Sequence, residues 1–282
     1  MPLFFEEYKD HLELDFNSAN TLKLQENSIK VDNVIYKTKL LNLDSSKLTA
    51  VKGGLRLVVF YQPILLKPIH VKRQRLTNIV TVSCGFCNEF LCDTKNLTTA
   101  RKPWDGWYES LSECFCHKTK WTNPALSNED LVTRNKVLMS DFDLWIPGVK
   151  IDKCPNCELD LGQVKEKFSM IWKWKVNLEG SLNYTLSDCI AEYLHSASLR
   201  GEFMIYMASH SKCCAIQILN TFTNINNRRC IKFMYYPVTT DEIHLPLNED
   251  LYAKVMRIFK LQTFILPIDK RMDNKLSFLY LN

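Results

Sequence analysis

Apolar and polar positions alternate along most of the first eighty residues. Leu12, Leu14 and Phe16 are separated by acids, Leu22 and Leu24 by Lys23, and Ile29 and Val31 by Lys30. A period of two predicts strands that set one face against a core, and no helical period competes with it here. Residues 55–61 form a near-continuous apolar run behind Gly53-Gly54, which predicts a strand buried on both faces. Ile79-Val80-Thr81-Val82 predicts another strand, delivering the chain to Cys84. Phe142, Leu144 and Ile146 alternate up to a Pro147-Gly148 turn. Ile171-Trp172-Lys173-Trp174-Lys175-Val176 alternates strictly, so Trp172, Trp174 and Val176 are expected together on a core face; stacking on lipid or bases is the competing use of such a tryptophan pair.

Three segments change period. Residues 186–199 line up Ile190, Tyr193, Leu194 and Ala197 on one stripe, with Ser187 or Asp188 as cap and Gly201 as stop. Asn248 opens a second helix with Leu251, Val255, Ile258 and Phe259 on its inner side, and Pro103-Trp104 opens a short one that aligns Trp107, Leu111 and Cys114. Strands are predicted at 203–208, 215–219, 231–235 and 276–281. Strands and helices segregate locally, so the fold class is α+β and β-rich. Residues 1–165 are expected to form an antiparallel β domain carrying a zinc-pinned insertion, and residues 166–282 an α+β C-terminal domain.

Composition narrows the function classes. With 46% hydrophobic and 24% charged residues, the 282-residue chain can bury a real core. Acids stand where an export leader needs cations, and the most apolar stretch is broken by Arg56 and Pro63 well short of the roughly 20 residues that cross a bilayer. A soluble, intracellular protein without a membrane partner is expected, and its eleven cysteines are then thiols available for metal or chemistry. The net charge of +5 is mild, which argues against a dedicated nucleic-acid site and suits an acidic protein partner equally well. The basic run Lys67, His70, Lys72, Arg73, Arg75 reads as a solvated strand edge, with a phosphate site as the alternative.

Cys84-Gly85-Phe86-Cys87 and Cys154-Pro155-Asn156-Cys157 are two Cys-x-x-Cys knuckles, the spacing at which two thiolates share one tetrahedral zinc. Together they predict a closed, structural four-cysteine Zn2+ site whose 66 intervening residues form an insertion pinned at both ends. A redox pair is the rival, but neither motif opens a helix after a parallel strand. Inside the insertion lies Cys114-Phe115-Cys116-His117, for which three readings stay open: a second zinc site completed by Cys92, buried thiols beside a surface histidine, or a soft ligand offered to a metal in another protein. Nucleophile elbow, glycine-rich phosphate loop and His-Glu-x-x-His are all missing from the sequence. Cys189, Cys213, Cys214 and Cys230 fall in helix or strand patterns and read as core.

The ordered set of Cys84 to Cys87, Pro103 and Trp107 through Cys116-His117, and Cys154 to Leu161-Gly162 resembles the HECT-like ubiquitin-conjugating-enzyme-binding family; Ile243-His244-Leu245-Pro246 resembles that family's C-terminal stretch. The resemblance implies one of two functions. One is ubiquitin ligase activity through a thioester cysteine, with a ubiquitin-conjugating enzyme as partner. The other, prominent in the fungal branch, is support of pre-mRNA cleavage and polyadenylation through the metallo-β-lactamase-type endonuclease. In that role Cys116 would reach the nuclease's zinc centre, Trp107 and His117 would shape the loop, and the protein would reside in nucleus and cytoplasm. The sequence departs from the ligase pattern, because no cysteine follows Cys230 and the nucleophile is expected after Leu245-Pro246. The expectation is therefore a non-enzymatic binding and inhibitory or chaperoning partner of the nuclease, with ligase activity as the alternative.

Overall fold

The structure, a computed structural model, describes residues 4–8, 11–16, 20–51, 54–62, 78–102, 135–226, 228–273 and 275–281. The helix expected after Pro103, with Trp107, Cys114, Cys116 and His117, lies outside the described residues, as does the basic run from Lys67 to Arg75.

In chain order the first strands are β1 (Phe4–Glu7), β2 (His11–Phe16), β3 (Leu22–Gln25), β4 (Ser28–Val31), β5 (Val34–Lys37), β6 (Leu41–Val51) and β7 (Gly54–Tyr61). Next come β8 (Thr81–Cys84), β9 (Phe90–Asp93), β10 (Thr98–Arg101), β11 (Lys136–Met139), β12 (Asp143–Pro147), β13 (Gly162–Val164), β14 (Phe168–Trp172) and β15 (Val176–Glu179). The last part holds helix α1 (Leu186–Leu199), β16 (Met204–Ala208), β17 (Cys213–Ile225), β18 (Arg228–Val238), β19 (Leu245–Pro246), helix α2 (Glu249–Ile265) and β20 (Leu276–Tyr280). The class is α+β and β-rich, and nearly all pairings are antiparallel; β10 with β11 and β16 with β19 are parallel.

The chain divides into two compact units, one of residues 1–71 with 191–282 and one of residues 72–190. Neither division coincides with the boundary expected between 165 and 166. The reason is strand pairing. In the first unit, nine described strands share a sheet ordered β19-β16-β17-β1-β2-β7-β6, with β18 along β17 and β20 on β18. Glu6 of β1 pairs with Ile225 of β17 and with Glu13 of β2, so the earliest strand is interior to a sheet completed by the latest ones. Leu12, Leu14, Phe16, Leu57, Val59 and Tyr61 turn to one core, which Ile29 and Val31 of the small β3-β4-β5 sheet help to fill. Strand β7 is buried on that face alone, because its other face carries Arg56 in an ion network described below.

Asn248 caps α2 by accepting the Leu251 N–H at 2.8 Å, as its position before an apolar period predicts. Tyr252, Val255, Phe259 and Thr263 form the buried stripe, whereas Leu251 and Ile258 are only half-buried. Helix α1 begins one residue later than its cap: Thr185 Oγ1 accepts from the Asp188 N–H, and the Asp188 carboxylate accepts from the Thr185 N–H, a reciprocal capping box in place of the expected Ser187 or Asp188 cap.

The second unit holds a five-stranded sheet, β10-β11-β12-β14-β13, and a three-stranded sheet, β15-β8-β9. Their facing sides supply one core of Ile79, Val82, Leu91, Val137, Leu144, Ile146, Leu161, Ile171, Val176 and Leu178, into which Cys84 and Cys154 are built. The stretch between the knuckles thus contributes β9, β11 and β12 to this core, with β10 paired on β11, so its flanks are integral to the unit and not a loop hung from it.

Candidate metal centre

Strand β8 ends at Cys84, and the chain turns back at once into β9. The Cys84 N–H donates to the Glu89 carbonyl at 2.8 Å and the Asn88 N–H to the Cys84 carbonyl at 2.9 Å, with Asn88 at φ 60°. The second knuckle repeats this turn: the Cys154 N–H donates to the Leu159 carbonyl at 2.9 Å and the Glu158 N–H to the Cys154 carbonyl at 3.0 Å, with Glu158 at φ 57°. Two copies of one backbone turn therefore face each other. Asn88 and Glu158 were not singled out from the sequence; each immediately follows the second cysteine of its motif, and that place is the signal.

The four sulfurs lie within 4.8 Å of one another, with Cys84 to Cys157 at 3.7 Å and Cys87 to Cys154 at 3.5 Å. Zinc–thiolate bonds of about 2.3 Å put the corners of a tetrahedron about 3.8 Å apart, so this donor set could hold a metal ion and is compatible with zinc. The same separations are far too long for a disulfide, whose sulfurs sit at about 2 Å. Cys84 and Cys154 are buried, and Cys87 and Cys157 half-buried. The Glu89 N–H draws the Cys87 thiol down to about 7, helped by sulfur contacts from Cys154 and Cys157 and opposed by burial. At Cys157 the Leu159 N–H acts the same way, but burial and the sulfurs of Cys87, Cys154 and Cys84 outweigh it and push the thiol up to about 12. Cys87 thus gives up its proton readily and Cys157 reluctantly, and a cation among the crowded sulfurs would relieve that crowding.

The residues around the sulfurs explain the glycines in the motifs. The Gly85 N–H donates to the Lys175 carbonyl at 2.9 Å, and a Cβ at Gly85 would lie 2.9 Å from that same oxygen. Lys175 reaches back with its ammonium to Asp160, beside the second knuckle. Behind that knuckle Leu161 is fully buried, and a Cβ on Gly162 would stand 1.9 Å from the Met170 carbonyl oxygen across the β13–β14 pair. Leu161-Gly162 is therefore a packing requirement of the second knuckle.

Between β14 and β15 the expected alternation fails. A 3-10 turn at Lys173–Lys175 interrupts the strand, so Lys173 is the fully buried residue, with its ammonium 4.0 Å from the centre of the Tyr184 ring. Trp172 and Trp174 are half-buried instead of sharing a core face with Val176; their rings stack at 5.0 Å, and Phe142 meets Trp174 edge-on. Cys92, the described member of the suggested second zinc set, pairs with Val82 and packs in the core, where burial pushes its thiol up to about 11. Its suggested companions Cys114, Cys116 and His117 are outside the described residues, and among those described the only cluster of metal-ligating side chains is the four-cysteine one.

No helix among the described residues is long and apolar enough to cross a membrane. Compared with protein-family models, with curated proteins and with solved structures, the chain matches none of them.

Proposed function

We propose that this chain is a zinc-stabilised binding partner, inhibitory or chaperoning, of the metallo-β-lactamase-type endonuclease of pre-mRNA 3'-end cleavage and polyadenylation, acting in nucleus and cytoplasm. Zinc fills the four-cysteine site and fixes the fold of residues 72–190. The segment carrying Trp107, Cys116 and His117 is the part offered to the nuclease, with the Cys116 thiolate taking a position at its zinc centre that a hydroxide nucleophile otherwise occupies.

The observation that favours binding over ubiquitin transfer is the chemistry after Leu245-Pro246. There the chain runs through Leu247 into Asn248, whose side chain is committed to capping α2, and no thiol stands in that turn. Three of the four other cysteines of this half make poor nucleophiles. Cys189, Cys214 and Cys230 are buried, and burial pushes Cys214 and Cys230 each up to about 12, leaving few thiolates at neutral pH. Cys213 is half-buried.

The decisive experiment mixes the purified chain with the purified nuclease and reads binding, RNA cleavage and melting temperature for wild type and Cys116→Ser. The expected result is an inhibitory complex that the substitution weakens while the melting temperature holds. A large fall in melting temperature with binding intact would make Cys116 a structural ligand. A reducible ubiquitin adduct on this chain after incubation with a charged conjugating enzyme would instead establish the ligase alternative.

A further inference from the structure

The small sheet β3-β4-β5 has two unlike faces. Leu22, Leu24, Ile29, Val31 and Tyr36 turn to the core of their unit. The residues between them, Lys23, Lys30, Ile35 and Lys37, stand on the opposite face, where Ile35 is 62% exposed. Lys23 and Lys30 are direct cross-strand partners, and Lys30 is in turn paired with Ile35, which sets Lys37 on the diagonal. Among the described residues none of these three ammonium groups has an acid within ion-pair distance. The acids of the connecting turns do not answer them: Asp32 is engaged by the Asn20 amide and the Thr21 N–H, both at 2.8 Å, and Glu26 forms no ion pair.

Like charges directly opposite in a sheet cost stability, by a few tenths of a kcal/mol to about 1. A sequence satisfied by solubility alone has no reason to align them. Three cations about 5 to 8 Å apart on one flat face form a charge array that an anion of matching spacing would relieve. Gln25 and Ser28 share this face, and its charged residues are all lysine. Lysine is depleted at protein–protein interfaces, whereas it neutralises phosphates as a mobile point charge that needs no fixed geometry. No aromatic stands on this face to stack a base, so recognition there would follow the backbone and not the sequence.

We propose that Lys23, Lys30 and Lys37 form an auxiliary site for the phosphate backbone of single-stranded nucleic acid, with Ile35 giving apolar contact to the sugars or bases between phosphates. The site is independent of the nuclease reading and of the metal centre. It is compatible with the modest net charge, because three contacts make a weak site. Neutralising three phosphates of a single strand gives a slope of about −2 for log affinity against log salt, or about twentyfold weaker binding between 50 and 200 mM salt.

The test uses the full chain and a fluorescein-labelled uridine 12-mer, with anisotropy read across that salt range for wild type and for Lys23→Gln/Lys30→Gln/Lys37→Gln. The expected result is binding by wild type at 50 mM salt and a salt slope smaller by about 2 in the triple variant, each single substitution removing about 0.7. The melting temperature of the triple variant should hold or rise, since the like-charge pair is gone. Lys95→Gln and Lys254→Gln, at exposed lysines already paired with Asp93 and Asp250, should leave the slope unchanged. Failure of wild type to bind the oligomer at 50 mM, or equal slopes for wild type and triple variant, overturns the proposal. So does a melting temperature that falls with the lysines, or displacement of the oligomer by polyglutamate at equal charge, which would assign the face to an acidic protein.

Discussion

Glu6 has no exposed surface and stands directly across from Glu13, so two carboxylates face each other inside a sheet. Lys270 bonds to both, Lys232 adds a bond to Glu6 at 2.6 Å, and Arg56 next to them grips Asp15 through two nitrogens at 2.6 and 3.0 Å while also reaching Asp269. Burial works against ionising Glu6, but Lys270 and Lys232 prevail and hold it below its ordinary 4.5. Removing one partner from a buried set strands the other charge, which costs about 3 to 5 kcal/mol. Lys270→Met is therefore expected to destabilise the fold by about that much near pH 6, measured as the shift in urea midpoint. A carboxylate with a lowered folded-state pKa contributes fully above its unfolded value and loses that contribution as pH falls through the folded one. The gap between wild type and Lys270→Met should accordingly shrink as the buffer is taken below about pH 4.5. An equal gap at pH 6 and pH 3.5 would show that the network contributes packing and not charge.

Among the elements, the knuckles were the most legible in sequence, because Cys-x-x-Cys states both ligand and spacing and the pairing of the two motifs needs no further information. Strands β2, β4 and β12 and helices α1 and α2 were legible for the same kind of reason: each sets a regular apolar period against one core. What resisted reading was local interruption. Residues 171–176 keep a period of two on paper, yet one 3-10 turn at Lys173–Lys175 inverts which side faces inward, as any slip by one residue does in a sheet. Arg56 in β7 sits where apolar residues were expected to matter, Glu6 lies in a strand not predicted from the sequence, and only their distant partners explain them. At this scale the proposed metal site is the lever. The free energy coupling structural zinc to folding is on the order of 10 kcal/mol, so Cys154→Ser, or chelation at neutral pH, is expected to melt β8, β9 and β15, with stoichiometric zinc restoring them after chelation but not in Cys154→Ser. Metal analysis of reduced protein should find one zinc per chain; protein that keeps its near-ultraviolet circular dichroism after chelation would mean that the sulfurs are held by packing alone.

For the whole molecule, the pairing of β1 with β17 decides what can be cut. A fragment of residues 166–282 lacks β1, β2, β6 and β7, more than a third of the nine-stranded sheet, and leaves an unpaired edge on β17. It is expected to be insoluble or protease-sensitive alone, and a soluble fragment with native-like circular dichroism would contradict the pairing. The same pairing orders events in time. A ribosome adding roughly 5 to 20 residues per second leaves about 10 to 40 seconds between Glu6 and Ile225. Throughout that interval the hairpin of β1 and β2 has no neighbour on one side, while residues 72–190 emerge within it and could close around a metal at the four cysteines. Nascent chains are therefore most exposed to misassociation along the free edge of β1, and if the four-cysteine site takes zinc as proposed, a cell short of zinc would meet the waiting hairpin with an unfolded middle still attached.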